Sequence, residues 1–234
     1  MMLSKKFIDT RAKAHLFIAV MNTGWINSDL ATWIAMRVRK EVRYDPIQID
    51  TIDLEIRKPL VANANYIVKK FLKTKATHLL MLDDDVCPDD GLIRRLIKYD
   101  KDVVGGSVLI WRKEFEGPMT CAAVKNLKDP TEYTFIDTIE GNNEGLKEVD
   151  FIGLGCILIK RMVLEMMKPP CFKQVFDDDG KELVKGIDLY FCQQVKELGF
   201  EIYADRTKVI GQIVELDLAE VLTKQLRLMK KVMK

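Results

Sequence analysis

Histidine is nearly absent from this chain. Among 234 residues only His15 and His78 carry an imidazole, and both precede apolar runs, so they read as strand-edge residues. This makes a Ser-His-Asp triad or a multi-histidine metal site improbable and leaves acid–base work to carboxylates. Cysteine is scarce as well. Cys87, Cys121, Cys156, Cys171 and Cys192 are odd in number, and no two are close in sequence. That suits reduced thiols in a cytoplasm, each a small core residue, better than a disulfide framework or a zinc site. No stretch approaches the roughly 20 apolar residues of a membrane span. The first residues, Met1 to Phe7, lack the long apolar region and small-residue cleavage site of a signal peptide. A net charge of +2 gives no reason to expect a nucleic-acid partner.

What is present describes a globular protein. Hydrophobic residues make up 48% and charged residues 31%, enough for a sizeable core and far from a disordered composition. Strand and helix patterns alternate through the first half. His15 to Met21 reads as an apolar strand. Ser28 or Asp29 is placed to cap a helix running to about Tyr44, which Pro46 ends. Ile47 to Asp53 alternates as a strand should. A second helix starts near Pro59 and ends near Lys73. After the apolar run Leu79–Leu82, a turn through Pro88-Asp89-Asp90-Gly91 leads into a helix with Leu92, Ile93, Leu96 and Ile97 on one face. Asp102 to Ile110 is the next strand. This order predicts a parallel, right-handed, doubly wound sheet. The second half changes character. Segments 121–126 and 131–138 read as short antiparallel strands, and Val149 to Lys160 as two apolar pieces split by Gly153-Leu154-Gly155. A helix follows from Gly186 to Leu198, then a strand from Phe200 to Ile213 and a helix from Leu216 onward.

The richest feature is Leu79-Leu80-Met81-Leu82-Asp83-Asp84-Asp85. The apolar part has the unalternating look of a strand buried on both faces. Three carboxylates then stand at its C-terminal end, where open α/β sheets bind ligands. Such crowded like charges need an offset, and a hard divalent cation that also touches a diphosphate supplies one. If the backbone stays extended, Asp83 and Asp85 share a face and Asp84 points away. A solvated acidic turn is the plainer reading of the same residues.

Four segments taken in order resemble GT-A-fold glycosyltransferases of the family 2 type. They are Leu82-Asp83-Asp84-Asp85, similar to the DxD motif; Phe151 to Arg161, similar to the small-residue segment under the acceptor site; Gly186-Ile187-Asp188-Leu189-Tyr190-Phe191-Cys192, similar to a G-E-D-x-x-F-C block; and Gly199 to Asp205, followed by Gly211-Gln212-Ile213. The resemblance covers about residues 15–213. It implies an α/β GT-A fold: a mostly parallel central sheet with helices on both faces, and a smaller antiparallel sheet on the acceptor side. Residues 1–215 would form that domain, and residues 216–234 a basic amphipathic C-terminal helix.

The resemblance also implies roles. Asp85 would bind Mn²⁺ or Mg²⁺ bridging the diphosphate of a UDP- or GDP-sugar, and Asp83 would support the metal or touch the ribose. Asp84 is the least certain of the three. Asp188 would be the base that removes the proton from an acceptor hydroxyl in an inverting transfer. Its place in the first turn of a helix suits a carboxylate. Gly153 and Gly155 would let backbone approach the sugar. Met21 and Asn22 would lie near the nucleobase, with Asp53, ending the second strand, as a weaker candidate. The acceptor stays open: glycan, lipid-linked or protein. Two departures stand out. Ile187 occupies the position of an acid in the family block. Gln212 occupies that of a histidine metal ligand, and it offers an amide in place of imidazole. A degenerate domain that binds nucleotide sugar without transfer is the alternative they raise.

Other features carry plainer readings. Asp177-Asp178-Asp179-Gly180 reads as a solvated turn. Trp33 reads as core, and Trp111, after a strand end, as a sugar- or base-stacking candidate beside Arg112. Leu218, Val221, Leu222, Leu226, Met229 and Val232 among Lys224, Arg227, Lys230 and Lys231 make a helix that packs on its own sheet or docks at an anionic membrane surface. Residues 80–91 also resemble the phospho-acceptor loop of a receiver domain, but that fold needs an acidic pair ending its first strand, and here Val20-Met21-Asn22 stands there. A nucleotidyltransferase would need a Gly-rich phosphate loop after the first strand, and none is present.

Overall fold

A computed structural model describes residues 14–213, apart from 23, 44–45, 57–58, 111–118, 127–128, 130–131 and 137–144. Its organising strand is β1 (Ala14–Asn22), buried along all but His15. Alternate residues feed two cores. Phe17, Ala19 and Met21 enter one, and Leu16, Ile18 and Val20 the other. Burial on both faces explains why the run shows no polar alternation.

A helical stretch follows in three pieces: α1 (Ser28–Thr32), a π-helical turn (Trp33–Arg37) and α2 (Val38–Glu41). Its cap is Asn27, not Ser28 or Asp29. The Asn27 Oδ1 accepts from the Leu30 N–H at 2.8 Å, and its Nδ2 donates to the carbonyls of Asp84 and Val86 at 2.9 and 3.0 Å. An amide can cap and still donate two hydrogen bonds; a hydroxyl has a single donor hydrogen and an ionised carboxylate none.

β2 (Ile47–Ile56) and β3 (His78–Asp83) flank β1 in parallel, linked through α3 (Leu60–Leu72). β2 runs three residues past the expected end at Asp53. β4 (Val86–Cys87), α4 (Leu92–Lys98) and β5 (Val103–Ile110) follow, then the short strands β6 (Met119–Thr120), β7 (Ala122–Lys125), β8 (Tyr133–Phe135), β9 (Leu146–Val149) and β10 (Phe151–Ile152). β11 (Cys156–Lys160) leads into α5 (Arg161–Met166). A hairpin of β12 (Val175–Phe176) and β13 (Leu183–Lys185) precedes α6 (Ile187–Glu197) and β14 (Ile202–Gln212).

The described strands of the main sheet run β2-β1-β3-β11-β5-β14-β4. The sheet is mostly parallel, as expected, with antiparallel pairing at β11 and where β4 and β9 meet β14 and β6 meets β5. β11 inserts antiparallel between β3 and β5. Gly105 and Gly106 in β5 make room for it. A Cβ on Gly105 would stand 3.0 Å from the Cys156 carbonyl and inside the Ile152 side chain, and one on Gly106 would run into Ile210. β7, β8 and β10 form a separate antiparallel sheet, as the polar turns of that region suggested.

Helices cover both faces. Phe71 of α3 meets Phe17 edge-on, and Phe172 stacks on Phe191 of α6 at 5.0 Å between centroids. Trp33, Leu92 and Leu96 fill the opposite core, as read for Trp33. The proposed C-terminal helix at 216–234 lies outside the described residues, as do Trp111 and Arg112. Among the described residues, no helix is long and apolar enough to cross a membrane.

Candidate active site

β3 ends at Asp83, and Asp84-Asp85 turn into β4. The extended geometry assumed for the triplet therefore stops at its first member. Alternation along β3 sends Leu79 and Met81 to the α3 and α6 side of the sheet, and Asp83 continues that row. There it lines a cleft of about 320 Å³ with Met21, Gly153, Gly155, Asp188 and Gln212. Residues as far apart in sequence as Met21 and Gln212 thus meet at the C-terminal ends of parallel strands β1, β3 and β5, where the topology puts a ligand crevice.

Each side chain has a local reason for its position. Backbone pairing fixes Asp83: its N–H donates to the Gly155 carbonyl at 3.0 Å. A Cβ on Gly155 would stand 3.2 Å from Asp83 Oδ2, so glycine leaves that carboxylate its space. A Cβ on Gly153 would overlap the Cys121 sulfur. Asp85 is held by the end of β14. The Ile213 N–H donates to its carbonyl at 2.8 Å, and Gln212 Nε2 donates to its Oδ2 at 2.8 Å. Asp188 sits in the first turn of α6, after Gly186 at the N-cap.

Electrostatically the site is short of positive charge. Burial, then the neighbouring carboxylates of Asp85, Asp188 and Asp84, push Asp83 up to about 7. Burial also raises Asp85, against the Gln212 hydrogen bond, which lowers it. Asp85 Oδ1 is buried with no hydrogen-bond partner among the described residues. An orphaned carboxylate oxygen beside crowded acids fits a hard cation. The described residues hold no group of three or more His, Cys, Asp or Glu arranged around a metal, so phosphate or water oxygens would have to complete the shell.

Other sequence candidates are placed elsewhere. Asp84 is buried in the turn, and its carbonyl accepts from the Asn27 N–H at 3.0 Å. Asn22 ties β1 to β2 through the Glu55 carbonyl at 3.3 Å. Asp53 lies within β2, with Lys70 Nζ 2.7 Å from its Oδ1. Neither Asn22 nor Asp53 lines the cleft. The structure adds Leu60, Val108, Ile110, Cys121, Leu154 and Ile187 to its walls. Val108 and Ile110 were findable as the C-terminal end of a parallel strand. Cys121, read as a core thiol, is half-buried there. Asp177 Oδ1 accepts from the N–H groups of Lys181 and Glu182, which makes the second acidic run the loop of the β12–β13 hairpin.

This architecture is similar to that of solved proteins. A197 from STIV superposes with a TM-score of 0.57 at 23% identity, over 86% of each chain. The fold is of the GT-A type. GalNAc-T7, solved with UDP, GalNAc and Mn²⁺, superposes with a TM-score of 0.50 at 8% identity over 87% of this chain, which spans 44% of the other. No family model and no curated protein matches the chain.

Proposed function

We propose that this GT-A protein is a metal-dependent glycosyltransferase. It moves a sugar from a UDP- or GDP-linked donor to an acceptor hydroxyl with inversion. The observation that carries this reading is the meeting of Asp83, Asp188 and Gln212 in one cleft, with Asp85 hydrogen-bonded to Gln212 beside it. GalNAc-T7, of similar fold, was solved with UDP, GalNAc and Mn²⁺, which supports the donor and metal class.

Asp85, with Asp83 and Gln212 adjacent, would hold Mn²⁺ or Mg²⁺, whose charge would offset that of a donor diphosphate. The remaining work falls to the protein. A Gln212 N–H on Asp85 favours the ionised carboxylate. Gly153 and Gly155 line the cleft wall, where a sugar ring would rest. Met21 offers an apolar contact on the β1 side. Leu154 and Ile187, both buried, keep water from the Asp188 side. The Asp188 carboxylate takes the hydroxyl proton as the acceptor oxygen attacks the anomeric carbon, and the bond to the diphosphate breaks with its electrons on phosphate.

Transfer and donor hydrolysis should be measured with Mn²⁺ across UDP- and GDP-sugars. Asp188→Asn should keep donor binding but lower transfer by about 10²-fold or more, the scale of a lost general base. A parent protein that binds nucleotide sugar, turns over with no acceptor and ignores Asp188→Asn would overturn the reading.

A further inference from the structure

The cleft is anionic before any ligand enters. Asp83 and Asp188 line it. Asp85 and Asp84 stand close enough that both, with Asp188, act on the Asp83 carboxylate. Gln212 turns an amide N–H to Asp85. Much of the remaining wall is apolar, from Leu60, Val108, Ile110, Leu154 and Ile187, and such side chains give a carboxylate no hydrogen bond in exchange for its water. The described residues that line the cleft include no Lys, Arg or His. Two partly buried cations of the fold are committed outside it: Lys70 to Asp53 and Glu55, and Arg95 to Asp89 and Asp205.

A divalent cation held at Asp85 would be matched by the diphosphate it carries. The carboxylates of Asp83 and Asp188 would then still face the sugar. At about 320 Å³ the cleft lies at the small end for a ligand site. A substituent on a ring seated in it therefore stays within the roughly 8 Å over which charges act in physiological salt.

We infer that the cleft selects donors by charge: it takes a nucleotide-linked neutral hexose and rejects the corresponding uronic acid, whose added carboxylate meets Asp83 and Asp188. The inference rests on the transferase reading for the seat of the sugar beside Asp188, and adds to it the charge class of the donor. Rejection has two physical parts. Fixed carboxylates repel the new one, and apolar walls strip its hydration without replacement. The hydroxymethyl group of a hexose meets no repulsion, and its hydroxyl can donate to either acid.

The test is calorimetry on the full chain with Mn²⁺ at about pH 8, above the raised Asp83 value. It compares UDP-glucose with UDP-glucuronate, and GDP-mannose with GDP-mannuronate. Each pair shares base and stereochemistry, and its members differ at one carbon. In whichever base series binds, the uronate should be weaker by about 10-fold or more, the effect of one like charge some 8 Å away at the screening of a protein surface. Asp188→Asn keeps shape and removes a charge, so it should narrow the gap, as should about 0.5 M NaCl. Glu165→Gln, an equal loss of charge on α5 at a position 53% exposed, should leave it unchanged. A uronate that binds as tightly as its hexose, or more tightly, overturns the inference. So does a gap that neither Asp188→Asn nor salt alters, since the rejection would then be steric. A charge-dependent gap in binding without transfer to any acceptor would sink the transferase reading and keep the selection. Transfer of uronate and hexose with equal kcat/KM would do the reverse. Binding of none of the four donors would overturn both.

Discussion

At the scale of single residues, the site depends on how three acids divide their tasks. Asp85 is the one with a buried, unpartnered oxygen. Asp85→Asn should weaken Mn²⁺-dependent binding of UDP or GDP in calorimetry by about 10-fold or more, because a hard cation loses an anionic ligand. Thermal stability of the metal-free protein should hold or rise, since the substitution relieves repulsion on Asp83. Unchanged Mn²⁺-dependent affinity would reject the assignment. Gln212→His probes the partner. Imidazole suits Mn²⁺ better than an amide, so the titration should shift to tighter binding if this position faces the metal; superimposable curves would place it off the site. The acidic triplet was legible from the sequence because an apolar strand that stops at charge is a strong pattern. The Gln212–Asp85 contact was less so. Nothing in the residues near Gln212 shows that a turn 127 positions away supplies its partner, and the resemblance alone pointed there. Asn27 shows the opposite limit, since local capping rules favoured its neighbours while the deciding contacts came from Asp84 and Val86.

Among the elements, β14 carries Gln212 to the cleft, and an ion cluster fixes it. Arg95 of α4 donates to both oxygens of Asp89 at 2.7 and 2.8 Å and to Asp205 Oδ2 at 2.9 Å. Asp205 is fully buried and also accepts from Tyr99 Oη at 3.0 Å and the Thr207 N–H at 3.0 Å. These bonds lie at the bulge in β14 between Asp205 and Val209, just ahead of Gln212. Arg95→Met leaves a buried carboxylate without its cation and should cost about 3 kcal/mol in urea denaturation. Arg37→Met, at an exposed pair with Asp90, should cost less than about 1 kcal/mol. Equal losses would mean that Asp205 is satisfied by Tyr99 and the backbone alone. Strand and helix positions were mostly readable from periodicity. The place of β11 was not. Its four buried residues say that it is central, but neighbours and direction come from long-range pairing, which local pattern does not encode. The two adjacent glycines of β5 were the available hint.

For the molecule as a whole, pH should act on stability through His78. Burial, then the charge of Lys160, lowers it from 6.5 to about 4. Between those values the unfolded chain takes up a proton that the native state refuses, so stability falls as pH drops through this window and is full above it. The ceiling is about 3 kcal/mol. His78→Gln should flatten the dependence, measured as urea midpoints at pH 7.5, 5.5 and 4.5. Asp83 is raised, so its effect has the opposite sign: it stabilises at low pH and that contribution fades as pH climbs toward about 7. It acts in both proteins, so the difference between their curves isolates His78. Parallel curves would show that the His78 ring is solvated.

The antiparallel insertion of β11 also has a bearing on the order of events in synthesis. β3 and β5 are both made early, yet neither gains its shared neighbour until Lys160 has been added. A nascent chain halted before that point carries two apolar strands with open hydrogen-bonding edges. Those edges are templates for pairing between molecules. Fragments ending near residue 150 should therefore precipitate where the full chain does not, and the time between translating β5 and β11 is the interval in which a chaperone would have most to do.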